Sequence, residues 1–198
     1  SGSEGTLAVL REAVVRLVPV PDERALAIMP FPDVDAALEA VPALIATGPS
    51  AVELMDASLV DPANRQPAER ALLGLLGRAP AMLVVEYSGE RGQAVGQARA
   101  LAGATVVTEP RDQTAVWTIR RTGIARALRT EGDQKPIPFI EDPAVPPDQL
   151  AAFAREVRRL LAHEGLGDAV WYGHASVGCL HIRPMVDLRE EGAVARVR

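Results

Sequence analysis

The chain has 198 residues, 48% of them apolar, enough for one large packed domain or two small ones. Its formal charge of -5 disfavours phosphate backbones and anionic lipid surfaces as partners. No apolar run approaches the roughly eighteen residues of a membrane span, and no basic stretch followed by an apolar one opens the chain, so a soluble, cytoplasmic protein without nucleic-acid or membrane partners is expected.

In chain order, residues 7–21 (LAVLREAVVRLVPVP) begin with a mixed apolar pattern and turn extended before Pro19 and Pro21 break it, as a helix or strand entering the fold would. Residues 24–31 (RALAIMPF) form a short apolar run of strand length. Val34, Ala37, Leu38, Val41, Leu44 and Ile45 then recur at spacings of mostly three and four, which predicts an amphipathic helix stopped at Gly48. Residues 50–60 (SAVELMDASLV) set Val52 and Leu54 on the face opposite Glu53 and read as a strand, followed by a helical pattern from Pro67. Residues 81–89 (AMLVVEYSG) are a β run, 90–103 a helix ending at Gly103, and 104–110 another short strand.

A second half of similar order follows. Residues 111–128 place Val116, Ile119, Gly123 and Ala127 along one side of a helix, with Arg120 at its edge and Trp117 further round. Residues 135–146 (KPIPFIEDPAVP) read as an extended, proline-punctuated strand. A helix starting near Pro147 buries Leu150, Phe153, Val157, Leu160 and Leu161 and stops at Gly165, and a hairpin closes the order. The fold class these elements predict is α+β: a ferredoxin-like split βαβ sandwich, an antiparallel sheet with helices on one face, duplicated in the second half.

The hairpin, residues 171–184 (WYGHASVGCLHIRP), carries two of the three histidines. If residues 170–174 and 180–183 are its arms, Tyr172 and His174 share one face, and His181 and Arg183 share one face of the partner arm. Two imidazoles flanking a short loop can converge on a divalent ion such as zinc, with Glu141 or Asp142 as the nearest further donor, or they can be edge residues bonded to backbone. His163, near a helix C-terminus, fits the surface. Cys179, the single cysteine, excludes an internal disulfide and an iron–sulfur cluster held by this chain alone, and reads as a small core filler. Arg120 and Arg121 lie beside Trp117; a guanidinium there can grip a carboxylate, or both can belong to a solvated helix face.

Four segments, GSEGTLAVLREAVVRLVPVP, VWTIRR, PIPFIEDPAVPP and YGHASVGCLHIRP, together resemble the C-terminal half of FAD-linked oxidases, the family of D-lactate dehydrogenases, the flavin-bearing chain of glycolate oxidase and D-2-hydroxyglutarate dehydrogenase. The resemblance implies that residues 1–20 are the end of an FAD-binding domain with a connector and that 21–198 are the C-terminal cap, or substrate, domain. FAD would be held mainly by a preceding domain of the same polypeptide, with Gly2, Ser3, Glu4, Gly5 and Thr6 close to the flavin, so the fragment alone is expected to be inactive. The family motif GHxGxGNLH falls on Gly173 through His181, which implies catalytic or metal-binding roles for His174 and His181. The family's WxxR arginine matches Arg120, which implies a substrate carboxylate clamp with Trp117 and Tyr172 beside it.

Departures from the pattern carry information too. The third metal ligand of some members, a glutamate in a later EHG motif, does not occur before Arg198. Ser176, Val177 and Cys179 stand where glycine, aspartate and asparagine are usual, as in longer relatives that add an iron–sulfur domain after the cap. The implied function is oxidation of a small, lactate-like D-2-hydroxy acid with hydride transfer to FAD. Two other classes compete with it: a stand-alone ferredoxin-like module that binds a small ligand or regulates without catalysis, and a metal-dependent hydrolase built on the two histidines.

Overall fold

The computed structural model describes residues 6–60, 79–128 and 132–197. The order is β1 (Glu23–Phe31), α1 (Val34–Ile45), β2 (Ala51–Asp56), a one-turn α2 (Ala57–Val60), β3 (Ala81–Gly89), α3 (Gln93–Ala100), β4 (Thr105–Val107) and α4 (Pro110–Ala127). Then come β5 (Lys135–Pro136), α5 (Leu150–His163), β6 (Ala169–His174), β7 (Cys179–Val186) and α6 (Ala193–Val197).

The strands form one seven-stranded sheet in the order β4-β1-β3-β2-β6-β7-β5, and every pairing is antiparallel. The α+β architecture is therefore the one the sequence predicts. Side chains alternate along each strand, and both sheet faces are covered, which is why Ala25 to Ile28 and Ala81 to Val85 are buried without interruption. On one face Ala25, Ala27, Val52, Leu54, Leu83, Val85, Trp171, Leu180 and Ile182 meet α1, α3 and α5. This is the expected helix layer. On the other face Leu26, Ile28, Met55, Met82, Val84 and Tyr172 pack with Leu59 of α2 and Val116 and Ile119 of α4. The second-half helix thus adds a layer of its own, held close because Gly123 presents no Cβ to the Leu59 side chain.

Local signals explain most boundaries. Asp33 caps α1 by accepting from the Ala36 N–H at 2.7 Å, and Gly48 takes φ +76° just past its end. The strand expected over 50–60 stops at Asp56, whose Oδ1 accepts from the Ser58 N–H at 2.9 Å and turns the chain into α2. The helical pattern from Pro67 falls mostly on residues 67–78, outside the described residues.

Three expectations are corrected. Residues 7–20 form neither helix nor strand and are exposed throughout, because their apolar side chains meet no partner in this fold. The extended run over 135–146 is a two-residue strand followed by isolated bridges at Ile140 and Ala144; Pro136, Pro138, Pro143 and Pro146 have no N–H to give a ladder. In α5, Leu160 is exposed and Ala151 and Ala154 take its place in the buried stripe. Among the described residues no helix is long and apolar enough to cross a membrane.

Candidate functional site

Three neighbouring strands deliver polar side chains to the α4 side of the sheet. In β2, Glu53 alternates with Val52 and Leu54, which face the other core. Register sets Glu53 opposite His174 across β2 and β6, and Tyr172 opposite His181 across β6 and β7. The Tyr172 and His181 rings lie 4.7 Å apart, and those of His174 and His181 lie 5.5 Å apart, edge to face. The expected hairpin therefore forms with the expected facing. Its tip is closed by Gly178 at φ +73°, and Gly173 sits so close to Cys179 and Leu180 of β7 that a Cβ would strike their backbone.

From above the sheet, α4 lowers Arg120 into this group. Its side chain is 11% exposed, and its Nε donates to Glu53 Oε2 at 2.8 Å. The guanidinium lies 4.9 Å from the centre of the Tyr172 ring. Its Nη2 is buried without an acceptor, an unusual state for a charged donor. Arg121, the next residue, is exposed. The two arginines thus divide between the two sequence readings: the first inside the site, the second on a solvated face.

On the far side of Tyr172 stands Arg183. Its Nε donates to the tyrosine hydroxyl at 2.7 Å and its Nη2 pairs with Glu141 Oε1 at 2.8 Å. Glu141 and Asp142 come from the proline-punctuated segment, which is fastened along β7 by Ile182 N–H to Ile140 O, Leu180 N–H to Pro143 O and Val145 N–H to Gly178 O. That fastening puts Asp142 Oδ1 2.9 Å and Glu141 Oε2 3.7 Å from His181 Nδ1. The Nδ1 is buried but out of line for a hydrogen bond with either.

Burial is the main influence on His181 and lowers its proton affinity below the ordinary histidine value; Asp142 opposes this, Arg120 and His174 add to it, and Glu141 opposes it. His181 is accordingly a neutral imidazole at neutral pH. Burial likewise pushes the Cys179 thiol up, with Asp142 and Glu53 adding to the effect, so it is no ready thiolate. His174 is half exposed, and its Nδ1 lies 2.5 Å from Glu53 Oε1. A carboxylate only accepts, so Nδ1–H donates and the lone pair resides on Nε2.

These contacts also test the fit of a metal ion. Among the described residues, the three-donor group whose ligand atoms all lie within 4.8 Å of one another is Asp142, Cys179 and His181. His174 is not in it; its Nδ1 is turned to Glu53. The donor set therefore does not fit an ion shared by the two histidines, and none of the chemistry below runs through one.

The structure brings together His174, His181, Arg120 and Tyr172 of the sequence-derived set. It places Trp117 elsewhere: the indole N–H donates to Glu86 Oε2 at 3.0 Å, and the ring lines an open cleft with Val20, Arg24 and Gln113. Gly2, Ser3, Glu4 and Gly5 lie outside the described residues, and Thr6 is exposed. His163 is exposed at the end of α5, as expected. Sequence reasoning passes over Glu53, whose signal is a lone charge inside an otherwise apolar central strand, and Arg183, whose signal is only its shared face with His181.

Comparison with known proteins gives a consistent picture. Residues 20–198 match the family described as FAD linked oxidases, C-terminal domain. The chain is 30% identical over 223 residues to a D-2-hydroxyglutarate dehydrogenase of Pseudomonas putida, covering 100% of this chain and 21% of that protein. It is 30% identical over 188 residues to a D-lactate dehydrogenase of Archaeoglobus fulgidus, covering 93% and 41%. The chain thus spans between about a fifth and two fifths of the length of these relatives. A substrate-bound p-cresol methylhydroxylase shares the fold, with a TM-score of 0.55 at 15% identity over 90% of this chain and 42% of that one.

Proposed function

This chain belongs to the family of FAD-linked oxidase C-terminal domains, and from that premise we propose that it forms the substrate-facing wall of a flavoenzyme that oxidises a small D-2-hydroxy acid to its 2-oxo acid. The observation that carries the reading is Arg120: a nearly buried guanidinium, stacked on Tyr172, with one donor left without an acceptor. A substrate carboxylate is the acceptor such a donor suits.

Within the site, Arg120 fixes the carboxylate end of the substrate through Nη2, and Tyr172 supports the guanidinium from beneath. His174 takes the proton of the substrate hydroxyl on Nε2, the nitrogen that its bond to Glu53 leaves free. His181, neutral through burial, lines the same space without adding positive charge. The chemistry supplied by bound FAD is acceptance of a hydride from the carbinol carbon, which yields the 2-oxo acid once the hydroxyl proton has left. FAD would be held mainly by a preceding domain, with residues 2–6 close to it, and the 198-residue chain alone would be inactive. Substrates of the relatives, D-2-hydroxyglutarate and D-lactate, define the class to screen.

The test is Arg120→Ala in the full-length flavoprotein. Loss of a charge-assisted clamp is expected to raise KM about a hundredfold, on a cost of roughly 2 to 3 kcal/mol. Unchanged kinetics for D-2-hydroxyglutarate, D-lactate and glycolate would remove Arg120 from the site.

A further inference from the structure

Glu53 stands between the two working parts of this site, and neither the family motifs nor the comparisons give it a role. Its side chain is 9% exposed in a central strand. A carboxylate that deep is costly unless paired, and Glu53 is paired twice, on different elements: Oε1 accepts from His174 Nδ1 at 2.5 Å and Oε2 from Arg120 Nε at 2.8 Å.

A pair serving only to neutralise Arg120 would use both oxygens on the guanidinium, side by side. Here one oxygen is drawn across the β2–β6 ladder to His174 instead. The division has two consequences. Arg120 is gripped through Nε alone, which leaves Nη2 buried and without an acceptor. His174 is held in the tautomer whose Nε2 carries the lone pair. Both vacant valences therefore belong to residues tethered to the same carboxylate, so their separation is set by one side chain on one strand.

We propose that Glu53 is the positioning residue of the site: it presents the Arg120 donor and the His174 acceptor together, one for the substrate carboxylate and the other for the hydroxyl proton. This rests on the 2-hydroxy-acid reading above. A 2-hydroxy acid carries these two groups on adjacent carbons, which is the spacing that a single shared tether can impose on its two partners.

The experiment compares Glu53→Gln, Glu53→Asp and Arg120→Ala in the full-length flavoprotein, measuring kcat and KM, the melting temperature, and binding of oxalate by its perturbation of the flavin absorbance. Oxalate presents carboxylates but no carbinol hydrogen, so it reports binding without turnover. In Glu53→Gln the amide oxygen can still face Arg120, but the amide N–H then faces His174 and forces its proton onto Nε2. We expect kcat to fall about a hundredfold or more, while KM and the oxalate Kd stay within about threefold or tighten, since Arg120 has lost its neutralising charge. Glu53→Asp keeps the charge but is too short to span both partners. It is expected to fold and recover about a tenth of the lost rate, which keeps the test readable should the glutamine variant not fold.

Wild-type kcat in Glu53→Gln, with oxalate binding abolished in Arg120→Ala, would overturn the positioning role and leave the site reading standing. Oxalate bound normally by Arg120→Ala would overturn the site reading and this proposal with it. Parallel loss of kcat, oxalate binding and melting temperature in both Glu53 variants would mark a purely structural ion pair and overturn the proposal.

Discussion

Asp56, three residues beyond Glu53, shows what a buried carboxylate does when its role is structural. It is 8% exposed, accepts the Trp171 N–H one position past the last β2–β6 pair, and accepts both the N–H and the hydroxyl of Ser58. It thereby continues the ladder with a side chain while starting α2. Burial pushes its carboxyl above the ordinary value of 3.8, against the pull of those hydrogen bonds. Because the native carboxyl keeps its proton to higher pH than the unfolded chain does, its contribution to stability is complete below 3.8 and is lost as pH rises through the native value. Asp56→Ala strands two backbone donors and is expected to cost about 3 kcal/mol. Asp56→Asn keeps one good acceptor, and its deficit relative to wild type should narrow as pH rises above 4 and then level off; denaturant melts of both variants across that range check this. Residue chemistry of this kind is only partly legible in a sequence. His174, His181 and Arg120 stand in recognisable motifs, whereas Glu53 and Asp56 sit in an alternating strand where a polar residue ordinarily faces water. Only the second helix layer over that face, contributed by α4, turns them inward.

The element that organises the site is the β6–β7 hairpin with the proline-punctuated segment laid along its outer edge. Its arms, its facing and the long runs of β3 and α1 are all legible in the sequence, because strict alternation and helical spacing survive in single segments. The expectation over residues 135–146 is too long, since four prolines leave extended backbone without ladder donors, and no pattern there signals that the segment brings Glu141 and Asp142 to β7. The fastening point is Gly178. Its φ of +73° disfavours any side chain, and a Cβ there would run into the Val145 carbonyl that the segment turns toward it. Gly178→Ala is therefore expected to cost about 3 kcal/mol, combining left-handed strain with a backbone clash. It should also free Asp142 from His181, so that a lowered melting temperature is accompanied by a changed imidazole signal for His181 in the NMR spectrum. A variant as stable as wild type would show that the tip is not what holds the segment.

At the scale of the whole molecule, the feature that the fold leaves unexplained is the stretch before β1. Leu7, Val9, Leu10, Val14, Val15, Leu17, Val18 and Val20 are each at least 73% exposed, an apolar strip of the kind that marks a surface awaiting a partner. The residues matched by the family begin at 20, where the strip ends. Its apolar pattern predicts an element entering the fold and is right about burial-prone character but not about conformation, because an isolated extended strip has no neighbour to supply ladder bonds. If the strip docks on the proposed FAD-binding domain, its amides gain those bonds there. Amide hydrogen exchange over residues 7–20 should then be at least about a hundredfold slower in the full-length flavoprotein than in the 198-residue chain, corresponding to an opening cost of roughly 3 kcal/mol. The chain alone should in addition bind a hydrophobic dye at this strip and lose the signal when residues 7–20 are deleted, with β1 and the sheet unaffected. Equal exchange in the two contexts would show that the strip is a solvated linker, and would place the contact between the two domains on the sheet and its loops instead.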